Sequence, residues 1–137
     1  MSWRAGVEEL EQRRAMVRRM GAPDKVARHV AAGKLPVRER IAQLLDGGSF
    51  REIGSATGTA SYDAEGRLVD LSASNFLFGR GRIEGRPVVV AADDFTVRGG
   101  ASDGATAGKM VTSEQMANEL RIPLVRLIDA SGGSVRT

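Results

Sequence analysis

Residues 87–97 read PVVVAADDFTV, and the run Val88-Val89-Val90-Ala91-Ala92 at its start decides how the rest of the chain is read. A half-exposed strand alternates apolar and polar residues. Continuous small and β-branched residues instead mark a strand covered on both faces. Working upstream, Phe76–Glu84, a turn at Gly85-Arg86 and the strand Pro87–Val97 are predicted to form a β-hairpin. Working downstream, Arg98-Gly99-Gly100 leads into a predicted helix over about Ser102–Leu120. Ile122-Pro123 then opens LVRLIDASGG, residues 124–133, which reads as a second strand buried on both faces and ending in a glycine turn. Strand, helix, strand with both strands apolar predicts layered α/β packing.

The first third has a different texture. Val7, Leu10, Val17 and Met20 recur at helical spacing and predict a helix over Trp3–Met20, with Gly21 as its stop. Pro23 opens a second helix that ends at Gly33. Pro36 opens a third, with Val37, Ile41, Leu44 and Leu45 on one face and Gly47-Gly48 beyond it. These helices carry too little apolar surface to stand alone, so they are expected to pack outside the α/β layers. Residues 49–75 hold strand-like pieces at Phe50–Ile53 and Arg67–Leu71 among turn-rich GSATGT and DAEG segments. The expected division is a helical extension over residues 1–48 and the opening of an α/β domain over residues 49–137.

Composition narrows the function classes. With 42% hydrophobic and 27% charged residues, the chain has the make-up of a globular protein. No apolar run approaches the roughly 20 residues of a membrane span, and the N-terminus lacks the apolar core of a signal peptide. There is no cysteine, which removes disulfides and thiol catalysis and is compatible with the cytoplasm. A single histidine argues against a zinc site. The net charge of +3 comes with few aromatic residues, so an anionic small ligand is expected rather than nucleic acid.

Chemistry is expected at the two glycine pairs that follow the buried strands. Arg98-Gly99-Gly100 follows the first, and Gly132-Gly133 follows the second. Glycine turns expose backbone N–H groups and let a ligand approach closely, and such donors suit an oxygen that gains negative charge. Tight turns without function are the alternative reading. A β-branched residue at Gly132 is expected to clash with the turn. Gly79-Arg80-Gly81-Arg82-Ile83-Glu84-Gly85 leads into a strand rather than a helix, so it reads as a hairpin and not as a dinucleotide fingerprint. Asp93-Asp94 reads as a cap, and His29 as a packing residue. No G-x-S-x-G occurs.

Three ordered stretches carry a family resemblance: RRAMVRRMGAPDKVARHVAAGKLPVRERIAQLLDGGSFREIG, GRGRIEGRPVVVAADDFTVRGGASDG and EQMANELRIPLVRLIDASGGSVRT. Together they span nearly the whole chain. Their order resembles the carboxyltransferase (beta) subunits of biotin-dependent acyl-CoA carboxylases of the propionyl-CoA and methylcrotonyl-CoA type. The turn here reads ASGGSV where many of those subunits read SGGAR.

That resemblance implies a crotonase-like spiral of β-β-α units behind an N-terminal helical extension. It implies transfer of a carboxyl group from carboxybiotin, delivered on a carrier protein, to the α-carbon of a short-chain acyl-CoA. The biotin ureido group would take the α-proton, and the enolate would attack carbon dioxide. Gly132 and Gly133 would supply oxyanion-hole N–H groups, and Arg98, Gly99 and Gly100 would line the acyl-CoA site. Biotin and acyl-CoA are the implied co-substrates, with no metal. Implied partners are a biotin carboxylase or biotin carrier subunit and further carboxyltransferase subunits, without nucleic acid or membrane. Because the family's chains are several times longer, the resemblance also implies a partial chain, inactive alone and marginal in stability. A non-catalytic CoA-binding or subunit-interaction protein of the same descent is the alternative, and a decarboxylase relative would share the same residues.

Overall fold

The computed structural model describes residues 3–102 and 104–132. Three helices come first: α1 (Trp3–Arg18), α2 (Pro23–Ala31) and α3 (Val37–Leu44). Strands β1 (Arg51–Ile53), β2 (Gly58–Tyr62), β3 (Leu68–Ala73), β4 (Phe76–Ile83) and β5 (Arg86–Asp93) follow. After a single 3-10 turn at Arg98–Gly100 come α4 (Gly104–Leu120) and β6 (Leu124–Leu127). One sheet has the order β1-β4-β5-β6, and β2 pairs with β3 in a separate ribbon. Pairing is antiparallel except between β5 and β6, which run parallel with Val89 opposite Leu124. β4-β5-α4 is thus one β-β-α unit, and β6 begins the next.

The central strand divides its side chains between two layers, as its apolar run predicts. Val88, Val90 and Ala92 face α3, packing with Leu77, Val37, Ile41 and Leu45. Val89 and Ala91 face α4, packing with Phe76, Phe78 and Ala117. Val89, Val90, Ala91 and Ala92 are all 0% exposed. The third helix is therefore one side of the sheet's core, and the three helices do not form a bundle of their own. α1 instead covers the β2–β3 ribbon through Val17, Leu71 and Ala73.

Glu84 and Gly85 both take positive φ, 50° and 77°, which is the two-residue turn that matches the twist of a hairpin. The predicted hairpin between β4 and β5 is present with Ile83 opposite Arg86. Gly79 and Gly81 serve close packing within it, against Phe50 and Leu45 respectively.

Several expectations need correction. The strand expected over Pro87–Val97 ends at Asp93, because Asp94 turns the chain: its Oδ1 accepts from Thr96 N–H at 2.8 Å and Thr96 Oγ1 at 2.6 Å. The strand expected to be buried on both faces in LVRLIDA is the short β6, whose residues are all half-buried. It lies at the sheet edge with a neighbour on one side only. Helix α1 stops at Arg18, and Met20 (φ 59°) rather than Gly21 adopts the left-handed exit. Gly21 is needed for another reason: a Cβ there would come within 2.5 Å of the Thr96 carbonyl oxygen. Strand β2 has no counterpart in the sequence reading, which placed turns there.

Candidate functional site

The two glycine turns come together. Strands β5 and β6 run parallel, so both their C-terminal ends lie at the same end of the sheet. There Ser131 N–H donates to the Gly99 carbonyl at 2.9 Å, and Ser102 N–H donates to the Gly132 carbonyl at 3.4 Å. Arg98, Gly99 and Gly100 are all left-handed, with φ of 52°, 63° and 67°. Gly100 is also closely covered, since a Cβ would lie 2.6 Å from the Asp129 carbonyl oxygen. Gly132 has φ 100°, a conformation an L-residue rarely adopts. The expected clash at Gly132 is not found: a Cβ there meets nothing within 4 Å, so its constraint is conformational. Gly133 lies outside the described residues.

A polar frame holds this end of the sheet. Asn75 spans the first turn, with Nδ2 donating to the Val97 carbonyl at 3.3 Å and the Ala101 carbonyl at 2.7 Å. Asp93 Oδ2 accepts from Asp129 N–H at 3.4 Å. Burial pushes the Asp93 carboxyl above the usual carboxylate range, against the opposing pull of that N–H, Arg126 and Arg40. The second turn is also tied to the N-terminal helices. Lys34 Nζ lies 3.1 Å from Asp129 Oδ1, and His29 Nε2 lies 3.9 Å from Asp129 Oδ2.

His29 does pack, as expected, but it also has polar contacts. It is 8% exposed, its Nε2 donates to the Leu35 carbonyl at 3.2 Å, and its ring is nearly parallel to that of Phe95, 6.3 Å away. Beside it a cavity of about 370 Å³ is lined by Lys25, Arg28, Lys34, Phe95 and Gly99 among others. Sequence reasoning missed this cavity. Its only signal was the spacing Lys25, Arg28, His29, Ala32, which puts these residues on one helical face. Asp94 caps a turn, as its pair with Asp93 was read. Among the described residues no cluster of three His, Cys, Asp or Glu could hold a metal ion, and no helix is long and apolar enough to cross a membrane.

A sheet built from a β-β-α unit, with helices on both faces and two glycine turns clasped at parallel strand ends, is the arrangement of crotonase-type proteins that bind acyl thioesters. The transcarboxylase 12S crystal structure, whose title describes a hexamer assembly with methylmalonyl-coenzyme A and methylmalonic acid bound, superimposes with a TM-score of 0.84 at 29% identity. That match covers 99% of this chain and 27% of the other. The carboxyl transferase domain family matches residues 28–137, and the chain belongs to that family. It is 35% identical to the propionyl-CoA carboxylase beta chain of Cereibacter sphaeroides over 95% of this chain and 26% of that protein. It is 33% identical to a probable mitochondrial methylcrotonoyl-CoA carboxylase beta chain of Drosophila melanogaster over 94% of this chain and 22% of that protein. The chain thus spans about a quarter of the length of these relatives.

Proposed function

We propose that this chain is the acyl-CoA-holding part of a carboxyltransferase that moves a carboxyl group between carboxybiotin and the α-carbon of a short-chain acyl-CoA such as propionyl-CoA. The observation that carries the reading is the clasp between Gly99 and Ser131 and between Ser102 and Gly132. It brings two left-handed glycine segments to one point, where backbone N–H groups of Gly132 and Gly133 can meet a thioester oxygen. Removing the α-proton of a thioester moves negative charge onto that oxygen, and preorganised donors stabilise it most when the charge is greatest. Arg98, Gly99 and Gly100 line the same point from the other turn.

In this reading residues 1–48 are a helical extension, and residues 49–137 open the carboxyltransferase domain. Carboxybiotin, brought by a biotin carrier subunit, supplies both the carbon dioxide and the base. No described residue is assigned to biotin. This chain's own share is to orient the thioester and hold the enolate oxygen. Further carboxyltransferase subunits and a biotin carboxylase are the partners the reading calls for.

The test is the infrared carbonyl stretch of propionyl-CoA, isotopically edited at the thioester carbon, with and without the protein. Hydrogen bonding from the turn lowers the stretching frequency. A ligand that binds with an unshifted carbonyl would remove the oxyanion role from this turn.

A further inference from the structure

We propose that the groove beside α2 holds the phosphorylated adenosine of the CoA thioester, with Lys25, Arg28 and Lys34 around its phosphates and the Phe95 ring under its base. The proposal rests on the acyl-CoA reading above. Lys25, Arg28, His29 and Ala32 occupy positions i, i+3, i+4 and i+7 and line one wall, so that wall runs about 10 Å along the chain axis. Phe95 and Gly99 line the wall opposite. The same Gly99 whose carbonyl accepts from Ser131 therefore borders the groove, and a ligand lying in it has one end at the clasped turns.

The chemistry of the walls selects the ligand. At about 370 Å³ the cavity lies at the small end of ligand pockets, enough for part of a cofactor-sized molecule. Three cations face it. Arg28 is held only by an exposed partner, Asp24 at 3.3 Å, and such a pair is readily exchanged for a phosphate. Lys34 is better fixed: Asp129 holds its ammonium at 3.1 Å, and that ammonium also lies 4.9 Å from the centre of the Phe95 ring. Phe95 itself is 40% exposed, so a broad aromatic face is open beside three positive charges. A flat base carrying phosphates satisfies both features, through stacking and through charge-assisted hydrogen bonds. An uncharged acyl chain would leave the cations unused.

Calorimetric titration of the protein with adenosine 3′,5′-bisphosphate, with ADP and with propionyl-pantetheine tests the assignment. The bisphosphate is expected to bind, to compete with propionyl-CoA, and to bind more tightly than ADP. The double variant Lys25→Glu/Arg28→Glu changes exposed side chains and should fold. It should weaken the bisphosphate and propionyl-CoA at least tenfold and leave propionyl-pantetheine unchanged. Phe95→Ala should weaken the bisphosphate too. Bisphosphate binding that is absent or indifferent to the double variant overturns the groove assignment, and so does an equal loss for propionyl-pantetheine. ADP binding as tightly as the bisphosphate would point to a free nucleotide instead and also overturns it. A lowered carbonyl frequency for bound propionyl-CoA, persisting through any of these failures, would leave the carboxyltransferase reading standing.

Discussion

Gly100 lies directly beneath Ala130: a Cβ on the glycine would come within 2.9 Å of the alanine Cα and 3.1 Å of its Cβ. This contact between the two strand-end loops separates Gly100 from Gly132, although the two look alike in sequence. Gly100→Ala meets both a left-handed backbone and occupied space, and should cost at least about 2 kcal/mol. Gly132→Ala meets only the backbone term and should cost about 1 kcal/mol. Urea unfolding of both variants checks the ranking, and equal midpoints would refute it.

Asp94 is 3% exposed and accepts two hydrogen bonds from Thr96, itself 5% exposed. Asp94→Ala leaves those two donors without their acceptor, at a cost of about 1–3 kcal/mol. Asp94→Asn keeps a carbonyl oxygen in place and should lose less. Thermal melts of the two variants provide the comparison.

Phe78 is 2% exposed, between Ile53 and the α4 side of the sheet. Phe78→Ala should cost about 3–5 kcal/mol, a large share of the roughly 5–15 kcal/mol that a domain has in total. Val69, 59% exposed on β3, provides the control. Val69→Ala should change stability by no more than about 0.5 kcal/mol. Chemical denaturation of both variants measures the contrast.

Lys109 projects from α4 into a buried position, with Nζ donating to the Gly54 carbonyl at 3.3 Å. Burial lowers its pKa from 10.5 to about 8, despite the attraction of Glu52 and with a small added push from Arg38. Between about pH 8 and 10.5 the unfolded chain holds this proton and the folded chain does not. Stability should therefore rise with pH across that window, by at most about 3 kcal/mol from this group. Below pH 8 both states are protonated, and the cost of burying the charge is present in full. Lys109→Met should flatten the rise. Unfolding free energies at pH 7.5, 9 and 10.5 measure it, and an unchanged slope in the variant would exclude Lys109 as its source.

What could be read from sequence follows from what each signal reports. Val88–Ala92 is uninterrupted because both neighbouring layers exclude water, and that pattern is local. Glu84-Gly85 announces its own turn. The fate of Asp94-Phe95-Thr96-Val97 depends on a side-chain cap, which outweighs β-propensity and is invisible to apolar patterning. β6 is as apolar as β5, yet burial depends on how many strands and helices lie beside it, which composition does not state. The glycine pairs were legible as turns, while their clasp depends on the parallel pairing of β5 with β6. The α2 groove was hardest to see, because it joins residues 25–34 to residues 95–99 and no local window contains both.

The register of β5 also bears on the order in which the molecule assembles. Its bonds to β4 close across a two-residue turn, so Val89 finds Arg80 early, whereas Leu124 reaches Val89 only after all of α4 has been made. Loop closure favours near contacts over distant ones. During synthesis the hairpin and its α3 cover can therefore form while residues 104–127 are still unmade or passing through the ribosome. Asp129 joins Lys34, and Ser131 joins Gly99, in the last step. The thioester-facing end of the sheet is the final part to become native, so a partly folded chain has a core before it has a site.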